Sequence, residues 1–117
     1  MSKTSSLLLF FLLFTAGTAS ASEAICEIQA SGEAMRSMPC DFSAESDGSF
    51  SVQSLRKDGP LYDEILVVSL AMTGKNQGQV SAVTKNGINS RWGAVNRCLS
   101  DKACWNGEDF RICVRAK

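Results

Sequence analysis

The chain has 117 residues, five cysteines and no histidine, and its 12 Lys and Arg balance 12 Asp and Glu. That length suits one domain. Without histidine it lacks the commonest neutral base and metal ligand near pH 7, and without a basic excess it lacks the footprint of a nucleic-acid binder.

Lys3 precedes an apolar run over residues 7–14 and a small-residue stretch ending Ala19-Ser20-Ala21. That order is a secretory signal peptide with an A-x-A site, so residues 1–21 are expected to be removed before Ser22. The run is too short to span a bilayer and no second one follows, so no membrane anchor is expected after cleavage. Cys26 follows Glu23-Ala24-Ile25 rather than the small residues of a lipid-anchor site. Residues 22–117 are expected to form a single β domain, periplasmic or secreted. Its core is small, and an oxidising compartment makes disulfides the natural staple.

Residues 24–30 form the first expected strand, closed by Ser31-Gly32. Residues 38–43 form the second, with Met38, Cys40 and Phe42 on one face and Pro39 marking an edge or a strand start. Asp47-Gly48 predicts a type I′ hairpin turn, with both central residues at positive φ. Residues 49–55 follow, then the break Asp58-Gly59-Pro60. Residues 64–72 hold Ile65-Leu66-Val67-Val68. β-branching favours a central strand there, and a short helix is the competitor, because a continuous apolar run carries no period. Residues 78–84 come next. Asn86-Gly87 is a second hairpin signal before residues 88–96, where Gly93 marks a bulge or bend. Residues 102–105 and 109–115 form the last pair around Asn106-Gly107. In the final strand Phe110, Ile112 and Val114 share one face; Arg111, Cys113 and Arg115 share the other. About eight short strands with regular turns predict an all-β, antiparallel, disulfide-stapled barrel or sandwich.

Five cysteines cannot all pair within one chain. Sequence neighbours favour Cys26–Cys40 and Cys104–Cys113, and closing a 15-residue loop stabilises by about 3 kcal/mol. A two-residue turn at Asn106-Gly107 would set Cys104 opposite Asp109. The second bridge therefore needs a wider loop through residues 106–109, and Cys98–Cys113 competes with it. Cys98 is the expected unpaired residue. It is an inert buried thiol, an intermolecular bridge in a homodimer, or a reactive thiol with its pKa lowered by Arg97 and Lys102.

No metal site is expected, because Cys98, Cys104 and Cys113 lack C-x2-C spacing. Asp41, Glu45 and Asp47 lack the acid ladder of a calcium loop. Asp63 and Glu64, read as strand neighbours, point to opposite faces and cannot share acid–base work. Neither a G-x-S-x-G elbow nor a phosphate-binding loop occurs, and no serine has an activating partner. No cofactor, catalytic residue or enzyme activity is expected.

Charge is split along the chain. Residues 23–64 hold nine acids and three bases; residues 65–117 hold three acids and eight bases. Folding either keeps these halves apart as two electrostatic faces or interleaves them. Trp92 and Trp105 lie in the basic half. Each is core filling or an arginine-rimmed contact surface.

The segment Asp101-Lys102-Ala103-Cys104-Trp105, with Gly107 and Phe110-Arg111-Ile112-Cys113, resembles the ending of small exported proteobacterial proteins with an A-C-W…I-C motif. Residues 86–93 and Asp47-Gly48-Ser49-Phe50 resemble the same group, most of it uncharacterised. Ser90-Arg91-Trp92 and Trp105-Asn106-Gly107 are also similar, in order, to the two signature elements of the periplasmic and lipoprotein inhibitors of c-type lysozyme. Those elements are a Ser-Gly-x-x-Tyr loop and a Trp-x-Lys-Gly strand end. Here Ser90 lacks the following glycine, tryptophan stands for tyrosine, the spacing is longer, and Asn106 takes the lysine position. The resemblance implies an eight-stranded antiparallel barrel, a contact at Ser90, Arg91 and Trp92, and a basic hydrolase such as lysozyme as partner. The sequence thus supports an exported non-catalytic binding module. The alternative is a structural envelope-associated protein, linked as a dimer through Cys98.

Overall fold

The computed structural model describes residues 20–117. The expected signal segment lies outside them except for its last two residues. Eight strands follow one another: β1 (Ser20–Gln29), β2 (Arg36–Ala44), β3 (Phe50–Gln53), β4 (Ile65–Gly74), β5 (Gln77–Thr84), β6 (Asn89–Arg97), β7 (Cys104–Asn106) and β8 (Arg111–Ala116). Each is antiparallel to the next, and β8 pairs with β1, so the sheet closes into a barrel in chain order. Closure gives every strand a paired neighbour on both sides, which removes free edge strands. β1 starts two residues before the expected cleavage point, with Ser20 opposite Ala44 and Ala21 opposite Ser43.

Alternation fills the interior. Ala24, Cys26 and Ile28 point inward from β1, Phe50 and Val52 from β3, Val80 and Ala82 from β5, and Trp105 and Ile112 from β7 and β8. Burying each of the larger side chains stabilises the barrel by roughly 1.5–3 kcal/mol. The apolar run at residues 65–68 is strand, not helix. It enters β4, whose Val68 and Leu70 are buried. Phe110 and Ile112 face inward as expected, and Val114 packs against the core at its rim.

The turns differ from their expected type. Gly48 N–H donates to the Glu45 carbonyl and Glu45 N–H to the Ser49 carbonyl. The loop is therefore three residues, 46–48, with only Gly48 at positive φ (93°). Residues 85–87 repeat this, with Gly87 at 77°. This is a type I turn closed by a left-handed glycine, the commonest three-residue hairpin, rather than type I′. Asp63 and Glu64 stand in a tight turn before β4, with Asp63 at φ 49°, not in a strand. Pro39 sits inside β2. β3 pairs only with residues 41–44, so β2 is locally open on that side where the proline stands.

Both expected disulfides are present. Cys26–Cys40 joins β1 to β2 inside the core, with Cα atoms 5.9 Å apart. Cys104–Cys113 joins β7 to β8 with Cα atoms 4.0 Å apart. The register for the second comes from a shifted turn. Gly107 N–H donates to the Phe110 carbonyl, so Glu108-Asp109, not Asn106-Gly107, forms the tip and Cys104 falls opposite Cys113. This bridge is on the outer face, yet Cys104 and Cys113 are 0% and 1% exposed. The loop of residues 98–103 covers it, held by the Asp101–Arg115 pair and by Val114 N–H to the Ala103 carbonyl.

Chain-order closure also decides the charge question. Residues 23–64 form β1–β3 with their loops, and residues 65–117 form β4–β8. Each half occupies one continuous sector, so the halves do not interleave. Where β1 meets β8 the sectors are stitched by ion pairs, Glu27–Arg115 at 3.2 Å and Glu23–Lys117.

Candidate functional site

The two ends of the barrel are built differently. At one end the long loop of residues 54–64 folds back over the interior, and Leu61 and Tyr62 are buried in the core. The Arg36 guanidinium lies 5.1 Å from the Tyr62 ring centroid and donates to Asp63 Oδ1 at 2.7 Å. The neighbouring loops are tied to it and to each other. Lys85 N–H donates to the Glu64 carbonyl at 2.8 Å, and Ser31 Oγ to Asp109 Oδ2 at 2.6 Å. Burial pushes the Tyr62 phenol up to about 12.

Ser90, Arg91 and Trp92 lie at this plugged end, at the start of β6. Val80 pairs with Gly93 and Ser81 with Arg91, so Trp92 is the extra residue of a β-bulge. Gly93, at φ 126°, permits it. The bulge turns the Trp92 ring onto Phe110, edge to face at 5.6 Å between centroids and 81° between planes. Trp92 is therefore half-buried, with part of its ring left at the surface. Arg91 is exposed beside it. Arg91 and Trp92 share the lining of a 430 Å³ cavity with Ser31, Ile65, Asp109 and Phe110. Ser90, half-buried opposite Ala82, does not reach that lining.

This end also carries apolar tips. Met35, Leu55 and Ile88 are 41%, 42% and 60% exposed. Each stands on a different loop of this end. Among the described residues the fourth exposed large apolar side chain, Leu99, is at the other end. Leu55 and Ile88 were assigned by the sequence to strands over 49–55 and 88–96. The strands stop at Gln53 and begin at Asn89, which leaves both side chains on loops. Ile88 directly follows the Asn86-Gly87 turn signal, and that adjacency is its trace in the sequence.

The opposite end is an open mouth. Phe42, Phe50 and Trp105 line a 520 Å³ cavity there, with Arg97 and Lys102 at its rim. Trp105 is 3% exposed, and the Arg97 guanidinium stacks 4.5 Å from its ring centroid. Trp105 is thus core and floor together. The sequence offered Trp105 as core or as an arginine-rimmed surface, but gave Phe42 and Phe50 no part in a site. The mouth's signal was Phe42 and Phe50 flanking one hairpin, with Arg97 directly opposite Trp105.

Cys98 is free and half-exposed at this same end. Its Sγ is 3.3 Å from Ser100 Oγ. The Ser100 hydroxyl and then the Asp101 backbone N–H hold the thiol below its ordinary value; Arg111 is the contributing cation, not Arg97 or Lys102. Arg115 donates to Asp101 at 2.8 and 3.2 Å, which lowers the Asp101 carboxyl and raises the guanidinium. Among the described residues no helix is long and apolar enough to cross a membrane.

No family model, curated protein or solved structure matches the chain.

Proposed function

We propose that the chain is an exported, non-catalytic binding module that docks on a basic protein through its plugged end. A wall hydrolase of the c-type lysozyme class is the partner that the resemblance at Ser90-Arg91-Trp92 points to. The carrying observation is the clustering of Met35, Leu55 and Ile88 on the loops of the end that also holds Arg91 and half-buried Trp92. Exposed apolar and aromatic side chains beside an arginine are the composition of an interface centre. The continuous acidic sector over residues 23–64 supports a basic partner. Among the described residues Glu33, Asp41, Glu45, Asp47, Asp58 and Glu64 make no ion pair there. Complementary charge steers such an encounter and fades with ionic strength.

A turbidity assay tests the reading. The exported chain is titrated into c-, g- and i-type lysozymes acting on cell-wall substrate. Stoichiometric inhibition of the c type is expected, weakened by Arg91→Ala and Trp92→Ala. No inhibition of any type at micromolar concentration overturns it.

Free, half-exposed Cys98 favours a second reading, a structural envelope protein paired through an intermolecular disulfide. A non-reducing gel that shows a dimer abolished by Cys98→Ser supports it. A monomer under oxidising conditions removes it.

A further inference from the structure

We propose that the open mouth of the barrel is a binding site for a small carboxylate with an apolar body. The site is at the opposite end from the docking loops, so it stands or falls independently of them.

The floor is aromatic. Phe42 and Phe50 meet at 5.2 Å between centroids, and Trp105 completes the surface. Among inward-facing groups at this end the floor offers an apolar ligand no competing polar partner, since no polar or charged residue is fully buried among the described residues. An eight-stranded barrel has room at its mouth for one small ligand, and 520 Å³ lies inside the usual range for such pockets.

The rim carries a cationic excess. Four cationic side chains line the mouth, Arg97, Lys102, Arg115 and Lys117, against one acid, Glu23. Arg115 is committed to Asp101 and Glu27, and Lys117 to Glu23. Arg97 and Lys102 have no ion-pair partner among the described residues. Arg97 is fixed by its stack on Trp105, and its buried Nε makes no hydrogen bond. A guanidinium held over an indole, with no carboxylate of the chain to satisfy it, is pre-organised for an anion from outside. The two features select together. A carboxylate accepts charge-assisted hydrogen bonds from the Arg97 amino groups and Lys102. Its apolar body covers the half-buried Phe42 ring and packs on the buried Phe50 and Trp105 behind it. An alkyl cation meets like charge at the rim, and a neutral amphiphile forgoes the charge-assisted bonds.

The two tryptophans make the test direct, because they mark opposite ends. The indole N–H resonances of Trp92 and Trp105 are assigned by a Trp92→Phe variant. The exported chain is then titrated with octanoate, 1-naphthoate, octylammonium and octyl glucoside. Saturable movement of the Trp105 indole with a carboxylate is expected, with the Trp92 indole unmoved. Octanoate alone identifies a chain as the body, naphthoate alone a flat ring, and both a site open to either. Arg97→Gln is expected to weaken binding about tenfold, the scale of one charge-assisted hydrogen bond. Exposed Lys102→Gln, which leaves the core untouched, is expected to weaken it less. The proposal is overturned if neither carboxylate moves Trp105 at millimolar concentration. It is also overturned if octylammonium or octyl glucoside binds as well as octanoate, or if both variants keep full affinity.

Discussion

Tyr62 is the chain's one tyrosine, and it reports on the plug. It is 8% exposed, its hydroxyl has no hydrogen-bond partner, and burial raises its pKa to about 12. A raised folded-state value contributes stability that is complete below the ordinary 10 and lost as pH climbs through about 12. Absorbance at 295 nm should therefore show tyrosinate forming near pH 12, and a midpoint near 10 would mean an unseated plug. Asp101 has the opposite sign. Its bonds to Arg115 depress the carboxyl, so their stabilisation is full above the ordinary 3.8 and lost as pH falls through the lowered value. Melting temperature followed from pH 6 to 2 should fall less steeply in Asp101→Asn than in the parent chain. Gly107 owes its identity to space rather than to backbone freedom. A Cβ there would meet Phe110 Cε1 at 2.2 Å. Gly107→Ala should cost about 1–3 kcal/mol, the scale of an overpacked site, and should pull Phe110 off Trp92; thermal melting and tryptophan fluorescence check both effects. At this scale the sequence was a partial guide. It named Cys98, Arg91 and Trp92, but the Ser100 hydroxyl on Cys98 and the Arg97–Trp105 stack arise from loop closure and strand pairing, which spacing alone does not encode.

At the scale of elements all eight strands were legible, because period-2 alternation and glycine-containing turns are local signals. The details that failed were those a neighbour decides. Asp47-Gly48 and Asn86-Gly87 each added a residue to the loop, since one left-handed glycine closes a type I turn as well as two positive φ values close a type I′. The last hairpin slid two residues toward Glu108-Asp109, and that slide sets Cys104 opposite Cys113. The bridge then depends on register and not on loop width. Peptide mapping without reduction should recover Cys26–Cys40 and Cys104–Cys113 with Cys98 alkylatable. Recovery of Cys98 joined to Cys113 would show that the β7–β8 register is wrong. Gly93 carries a second registration device. At φ 126° it holds the bulge that turns Trp92 onto Phe110. Gly93→Ala should therefore strain the backbone by about 1–3 kcal/mol and shift Trp92 emission.

The whole molecule is a barrel whose two ends differ. One is stoppered by Leu61 and Tyr62 and ringed with apolar tips; the other is open over an aromatic floor. A meander keeps chain neighbours together, so the acidic first half and basic second half remain separate sectors. This follows from strand order, which no local pattern fixes. The apolar tips were missed for a related reason. Strand ends are set by where partners stop, so Leu55 and Ile88 read as strand residues until their neighbours ran out. If the plugged end is the docking face, amide hydrogen exchange on the chain with and without a c-type lysozyme at low salt will locate the contact there. Protection is predicted in residues 30–35, 54–64 and 85–92, with the mouth around residues 97–105 unchanged. Protection at the mouth instead, or no complex at micromolar concentration, would contradict it.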